Sequence, residues 1–246
     1  MRLRISEVSL VRGLKSWQRL GAFFEYGWQL IRRHYQALLV LFVGVLLPLQ
    51  IFAELAGNVW EQEGLAWDQP ILLWLRETAT PQLDRFAVLL TQFGVYWGVF
   101  PLALIIGLVL LWQRRWRFLT YYSLTLVGSI LINVTVKSLV ARSRPALWDS
   151  PAPELDYSFP SGHAMSSMTF VAALVILLWG SRWQWPVTIL GGIFVLLIGW
   201  TRLYLGVHDP SDIIAGWAVS IGWAVGVALV IRPHAHQKRI QQKETV

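Results

Sequence analysis

His208-Asp209-Pro210-Ser211-Asp212 runs directly into IIAGWAVSIGWAVGVALVI, residues 213–231, before Arg232 restores charge. A run of this length with no ionisable group matches the roughly 20 apolar residues that carry a helix across hydrocarbon. Asp209 and Pro210 read as N-cap and first residue of that helix, which puts Asp212 in its first turn, within reach of the His208 ring. A membrane helix therefore begins on a His–carboxylate pair.

Working outward, five further uncharged runs are long enough to cross: Ala37 to Ala53, Phe86 to Trp112, Phe118 to Val136, Ala164 to Ser181 and Trp183 to Thr201. The first carries Pro48 and extends past Glu54 or begins near Tyr35. The whole chain is 55% hydrophobic and 14% charged, a balance outside the range of soluble domains. The expected fold is all-α, an integral membrane bundle of six transmembrane helices. Three regions are expected: a cytoplasmic basic segment at 1–34, the six-span domain at 35–232, and a cytoplasmic basic tail at 233–246. The first has apolar residues at Leu10, Leu14, Trp17, Phe24, Trp28 and Ile31, flanked by Arg19, Arg32 and Arg33, a pattern suited to lying on headgroups. It lacks the form of a cleaved secretion signal. Asn58 to Arg85 is expected as an outer loop with a short amphipathic piece, Pro70 to Arg76.

Charge gives orientation, because Lys and Arg are retained on the cytoplasmic side. With both termini inside, only six of the 21 basic residues fall outside: Arg76, Arg85, Lys137, Arg142, Arg144 and Arg202. The net charge of +7 is thus mainly a topology signal, and no basic stripe with interleaved aromatics suggests nucleic acid. Of five histidines, His163 and His208 alone lie outside. Trp60, Trp112, Trp116, Trp148, Trp183 and Trp185, near span ends, read as interface anchors. The absence of cysteine excludes disulfides, thiolate metal sites and a cysteine nucleophile.

Three short strings meet at this outer face. Lys137 and Arg144 are seven residues apart, about two helical turns, and Pro145 disfavours helix at Arg144, so the last turn should unwind. Pro160-Ser161-Gly162-His163 stands before the fourth span. Ser161 is a natural N-cap there, and the free N–H groups of a helix start suit an anion. Arg202, His208 and Asp212 complete the set. Three cations, two imidazoles and one carboxylate are suited to holding a phosphate, attacking it and protonating what leaves. The carboxylate fixes the His208 tautomer and turns the other ring nitrogen outward as a nucleophile.

The strings resemble the three signature motifs of the type 2 phosphatidic acid phosphatase family, which includes phosphatidylglycerophosphatase B-like and undecaprenyl-diphosphate phosphatase-like enzymes. Lys, six residues, Arg-Pro is met by Lys137 through Pro145; Pro-Ser-Gly-His by Pro160 through His163. The third, Ser-Arg, five residues, His, three residues, Asp, is met with Thr201 in place of Ser. The resemblance implies a hydrolase in which His208 becomes a phosphohistidine, Asp212 orients it and His163 is the acid. It also implies that Lys137, Arg144, Ser161, Gly162 and Arg202 hold the phosphoryl oxygens, with no metal and no cofactor. The expected substrate is a lipid phosphate or diphosphate, such as phosphatidic acid, phosphatidylglycerophosphate or a polyprenyl diphosphate, in a bacterial-type inner or plasma membrane, with the site extracytoplasmic. A lipid phosphotransferase would use the same groups. A non-enzymatic lipid-binding or transport protein fits less well, because the midspan regions carry no charge.

Overall fold

The computed structural model describes residues 34–61 and 64–234. The basic segment and most of the tail lie outside these residues. By contact clustering the chain forms two units, Met1–Phe42 and Val43–Val246. The described part of the first is helical.

The second unit is all helix, with no strand among the described residues. After a π-helical turn at Phe42–Leu46 come α1 (Leu47–Trp60), α2 (Asp68–Arg76), α3 (Pro81–Phe93), α4 (Val99–Trp112), α5 (Trp116–Val140), α6 (Gly162–Leu177), α7 (Gln184–Tyr204) and α8 (Pro210–Ile231). By length and composition, four helical stretches can cross a membrane: His34–Trp60, Trp116–Val140, Gln184–Tyr204 and Pro210–Ile231. Val99–Trp112 and Gly162–Leu177 are apolar but shorter.

The largest departure from expectation is the second run, Phe86 to Trp112, which is not one helix. It breaks between Phe93 and Val99, and its first piece starts earlier, at Pro81. Thr80 has extended backbone and accepts the Leu83 N–H at 3.2 Å, with Pro81 pre-set for the first helical position. The break is steric. A Cβ on Gly98 would lie 2.3 Å from the Phe93 carbonyl oxygen, so the chain can fold back on itself only where a side chain is missing.

The α8 helix is the centre of the bundle and packs on α6, α1 and α5. Its small residues allow close approach, which substitutes in a membrane for the missing hydrophobic drive between helices. A Cβ on Gly216 would meet the Ser161 carbonyl oxygen at 3.2 Å and the Ala164 Cβ at 3.3 Å. Ser220 donates to the Met165 carbonyl at 3.2 Å, and Ser129 of α5 meets Thr169 of α6 at 2.8 Å. Such interhelical bonds are worth on the order of 0.6 kcal/mol each in a membrane. Their consequence is positional: α6 and α8 are drawn together at the ends that carry His163 and Asp212.

Of the six tryptophans expected near span ends, Trp60, Trp112, Trp116, Trp183 and Trp185 are exposed. Trp148 differs. It stacks under the Arg76 guanidinium, 5.4 Å from the ring centroid, and covers Gly206 so closely that a Cβ there would lie 2.5 Å from the indole. Gly206 has φ +67, the left-handed turn that delivers Val207 and His208 from α7 to α8.

Candidate active site

The three strings converge. Helix α5 ends at Val140, where Ala141 takes φ 49, so the turn before Pro145 is unwound as expected and Arg144 lies in the loop. Lys137 and Arg144 nevertheless meet on one carboxylate. Lys137 Nζ pairs with Asp156 Oδ2, and Arg144 NH2 donates to Asp156 Oδ1 at 2.5 Å. Burial alone would raise the Asp156 carboxyl; hydrogen bonds and charge from Lys137 and Arg144 outweigh it and hold its pKa at about 2.

Ser161 is the N-cap of α6, accepting the Ala164 N–H, with its own N–H donating to the Asp212 carbonyl at 3.2 Å. Its hydroxyl is thus turned toward its own helix. Asn133, one turn before Lys137, donates to the Pro160 carbonyl at 3.0 Å and fixes the entry to that turn. Gly162 opens the helix, and a Cβ there would lie 3.4 Å from Asn133 Oδ1. The break between α3 and α4 returns here: a Cβ on Gly94 would lie 3.3 Å from His163 Cδ2.

His208 is wholly buried in the loop between α7 and α8. Its Nδ1 lies 3.2 Å from Asp212 Oδ2, which also accepts the Asp209 N–H at 3.0 Å. These partners assign the proton to Nδ1 and leave the Nε2 lone pair facing Arg144 NH1 at 3.0 Å. Burial, together with the charges of Arg202 and Arg144, lowers the His208 pKa well below the ordinary imidazole value. The shift favours the neutral form of the ring. Arg202 is also buried, and donates to Thr91 Oγ1 at 2.8 Å. Its Nε is buried with no hydrogen-bond partner among the described residues. Thr201, the one departure from the motif, directs its hydroxyl to the Ile198 carbonyl at 2.6 Å, a bond to its own helix.

One group that sequence reasoning missed occupies the centre. Glu154 Oε2 forms an ion pair with Arg144 NH2 at 2.7 Å and its Oε1 pairs with Arg202 NH2. The same carboxylate lies 3.7 Å from His163 Nδ1 and 3.8 Å from His208 Nε2. Burial would raise the Glu154 pKa, but the cationic charges beside it prevail and lower it. An anion is therefore held by two guanidinium groups with both imidazoles against it. No spacing rule announces such a residue; the only signal was Glu154 and Asp156 standing between two basic motifs. Arg142 and Asp68 were missed as well. Arg142 donates to Asp212 Oδ1 at 2.6 Å and to Asp68 Oδ2 at 3.0 Å.

The model of the PAP2 superfamily matches residues 118–235, which hold all three motifs. The chain is 28% identical to an undecaprenyl-diphosphatase of Sulfolobus acidocaldarius over 86% of this chain and 98% of that one. It is 30% identical to a lipid A 4'-phosphatase of Bacteroides thetaiotaomicron, over 61% and 70% respectively. The transmembrane PAP2-type phosphatidylglycerolphosphate phosphatase of Bacillus subtilis superposes with TM-score 0.65 at 25% identity, over 74% of this chain and 94% of that chain. The chain belongs to the PAP2 superfamily. It is a membrane protein and a phosphatase.

Proposed function

We propose that this phosphatase hydrolyses a lipid phosphate or diphosphate at the extracytoplasmic face through a phosphohistidine, without a metal. The observation that carries this reading is the seat of Glu154: a carboxylate held by Arg144 and Arg202, within 4 Å of both His163 and His208. A phosphoryl group in that seat has its oxygens on the same guanidinium groups and its phosphorus facing the His208 Nε2. Burial and the charges of Arg202, Lys137 and Arg144 lower the His163 pKa; a phosphoryl group that enters with its own proton offsets those charges and leaves the proton on the His163 ring. The His208 lone pair forms the N–P bond as the P–O bond to the leaving group breaks, and His163 passes that proton to the departing oxygen. Water then attacks phosphorus, the N–P bond breaks, and His163 takes the proton from water. Lys137, Arg144, Arg202, Ser161 and the Gly162 amide hold the oxygens and balance the charge that develops on them.

The placement is six crossings with both termini cytoplasmic and the site outside. In support, the C-terminal ends of α5 and α7 and the N-terminal starts of α6 and α8 carry the site residues, so alternate helix directions bring them to one end. The boundaries at 1–34, 35–232 and 233–246 follow from the same placement. A substrate tail can remain among the apolar helices while its headgroup enters, which favours an amphiphilic phosphate over a soluble one. Phosphatidic acid, phosphatidylglycerophosphate and a polyprenyl diphosphate all fit.

Two measurements test this reading. Purified protein in detergent should release phosphate from one or more of these lipids with no acceptor present, and at an unchanged rate in EDTA. Loss of activity in EDTA that a divalent cation restores would contradict the metal-free route. Glu154→Gln removes the charge that competes for the seat, so orthovanadate should inhibit roughly fivefold more tightly, equivalent to about 1 kcal/mol for a partly exposed ion pair. Weaker inhibition by orthovanadate would show that Glu154 helps to hold the anion and does not stand in its place.

A further inference from the structure

Arg142 is one of the six unspecified residues inside the first motif, yet it ties the carboxylate beside His208 to the rest of the molecule. Its NH1 donates to Asp212 Oδ1 at 2.6 Å and to Ser211 Oγ at 2.7 Å. Its NH2 donates to Asp68 Oδ2 at 3.0 Å and lies 2.9 Å from Asp209 Oδ2. Asp68, at the start of α2, is itself locked, accepting the Ser211 N–H at 3.0 Å and the Ser211 hydroxyl at 2.6 Å. One guanidinium therefore stands among three carboxylates, of which Asp212 is wholly buried and Asp68 nearly so.

We propose that Arg142 is a positioning residue for the phosphoryl-transfer step, acting through Asp212 on the His208 ring. This rests on the reading of His208 as nucleophile and Asp212 as its orienting carboxylate. Asp212 divides its two oxygens. Oδ2 faces the His208 ring and the Asp209 amide, and Oδ1 faces Arg142. The two sides together prevent rotation of the carboxylate, which fixes the ring nitrogen that must point at phosphorus. The planar fork of an arginine can reach Asp212 on one arm and Asp68 with Asp209 on the other; the point charge of a lysine can serve only one arm at full strength. Without the cation, a buried carboxylate loses the charged donor on its Oδ1, and two further carboxylates stand close by without the guanidinium that faces them. The carboxylate then turns, and the ring follows.

Arg142 also borders a cavity of about 620 Å³, shared with Gly64, Asp68, Gln69, Pro145 and Asp209. A small cation can therefore reach the place that a shortened side chain leaves. This provides a readout that a purely structural role would not move.

The test uses the full chain in detergent, with lipid phosphate as substrate and orthovanadate as the anion probe. Arg142→Ala should lower kcat about 100-fold, the size of effect that a displaced catalytic group produces. KM and orthovanadate inhibition should stay within about threefold, because Lys137, Arg144 and Arg202 are untouched. Millimolar guanidinium should restore part of the lost kcat, and Arg142→Lys should retain more activity than Arg142→Ala. Unchanged kcat would overturn the proposal, and so would a collapse of orthovanadate inhibition in step with kcat, which would make Arg142 a ligand of the substrate. If Arg142→Ala does not fold, the pair Arg142→Ala with Asp68→Asn, which removes one cation and one carboxylate, carries the same test with the same two outcomes. His208→Ala and Asp212→Asn are assayed beside it. If both are inactive while Arg142→Ala keeps its kcat, the role of Arg142 alone fails; if His208→Ala turns over, the underlying reading fails.

Discussion

His208→Ala is expected to abolish phosphate release, with a loss of about 10⁴- to 10⁶-fold in kcat, the range found when a nucleophile that works with a partner is removed. The size follows from the chain's lack of substitutes. It has no cysteine, and the other imidazole at the site, His163, has its nearest carboxylate, Glu154, at 3.7 Å, beyond the hydrogen-bond distance at which Asp212 meets His208. The fold should survive. Truncation leaves Asp212 bonded to Arg142 and to the Asp209 amide, so no buried charge loses its last partner. Thermal melting in detergent should therefore stay close to that of the parent while phosphate release disappears, and orthovanadate should still bind through Arg144 and Arg202. A variant that retains even one hundredth of the parent kcat would be difficult to reconcile with an N–P intermediate.

The second large effect is expected from Asp212→Asn. The substitution keeps the shape and removes the charge, and an orienting carboxylate of this kind is worth roughly 10³- to 10⁴-fold in kcat. Two causes combine. An amide cannot balance the cation that forms on His208 as the N–P bond is made, and its NH2 has no acceptable neighbour. One side presents the Asp209 N–H and His208 Nδ1, the other the Arg142 guanidinium, and all of these are donors as the ring is assigned. The ring then favours the opposite tautomer, with its proton on the nitrogen that must attack. KM should change little, because no substrate-holding cation is altered. A fall in lipid affinity with kcat preserved would move Asp212 from the nucleophile's side of the reaction to the substrate's.

The membrane helices and the three motifs were legible from the sequence because each rests on local information. Hydropathy runs report span ends, Asp209-Pro210 and Ser161 report helix starts, and the order Lys137–Arg144, His163, Arg202–His208–Asp212 has a fixed spacing. What the sequence did not yield is either neutral in hydropathy or distant along the chain. The break between Phe93 and Val99 lies in a stretch with no charge, so a span search passes straight over it; the two glycines, Gly94 and Gly98, were the only sign. Trp148 stands near a span end like its fellows, and only the tertiary fold places it on Gly206. Arg142 and Asp68 meet across 74 residues of chain, and no periodicity relates a loop cation to the first residue of a short helix. Glu154 and Asp156 carry no spacing signal, because the cations that hold them come from α5, the following loop and α7.

The most direct test of the central claim is to locate the transferred phosphoryl group. Purified protein is mixed rapidly with a lipid phosphate labelled in its phosphoryl group, quenched in alkali, where phosphohistidine persists, and digested for mass spectrometry. The label is expected on His208, absent in His208→Ala and lost from the parent as water turns the intermediate over. Phosphate release at the full rate with no labelled histidine, or with the label on His163, would contradict the account.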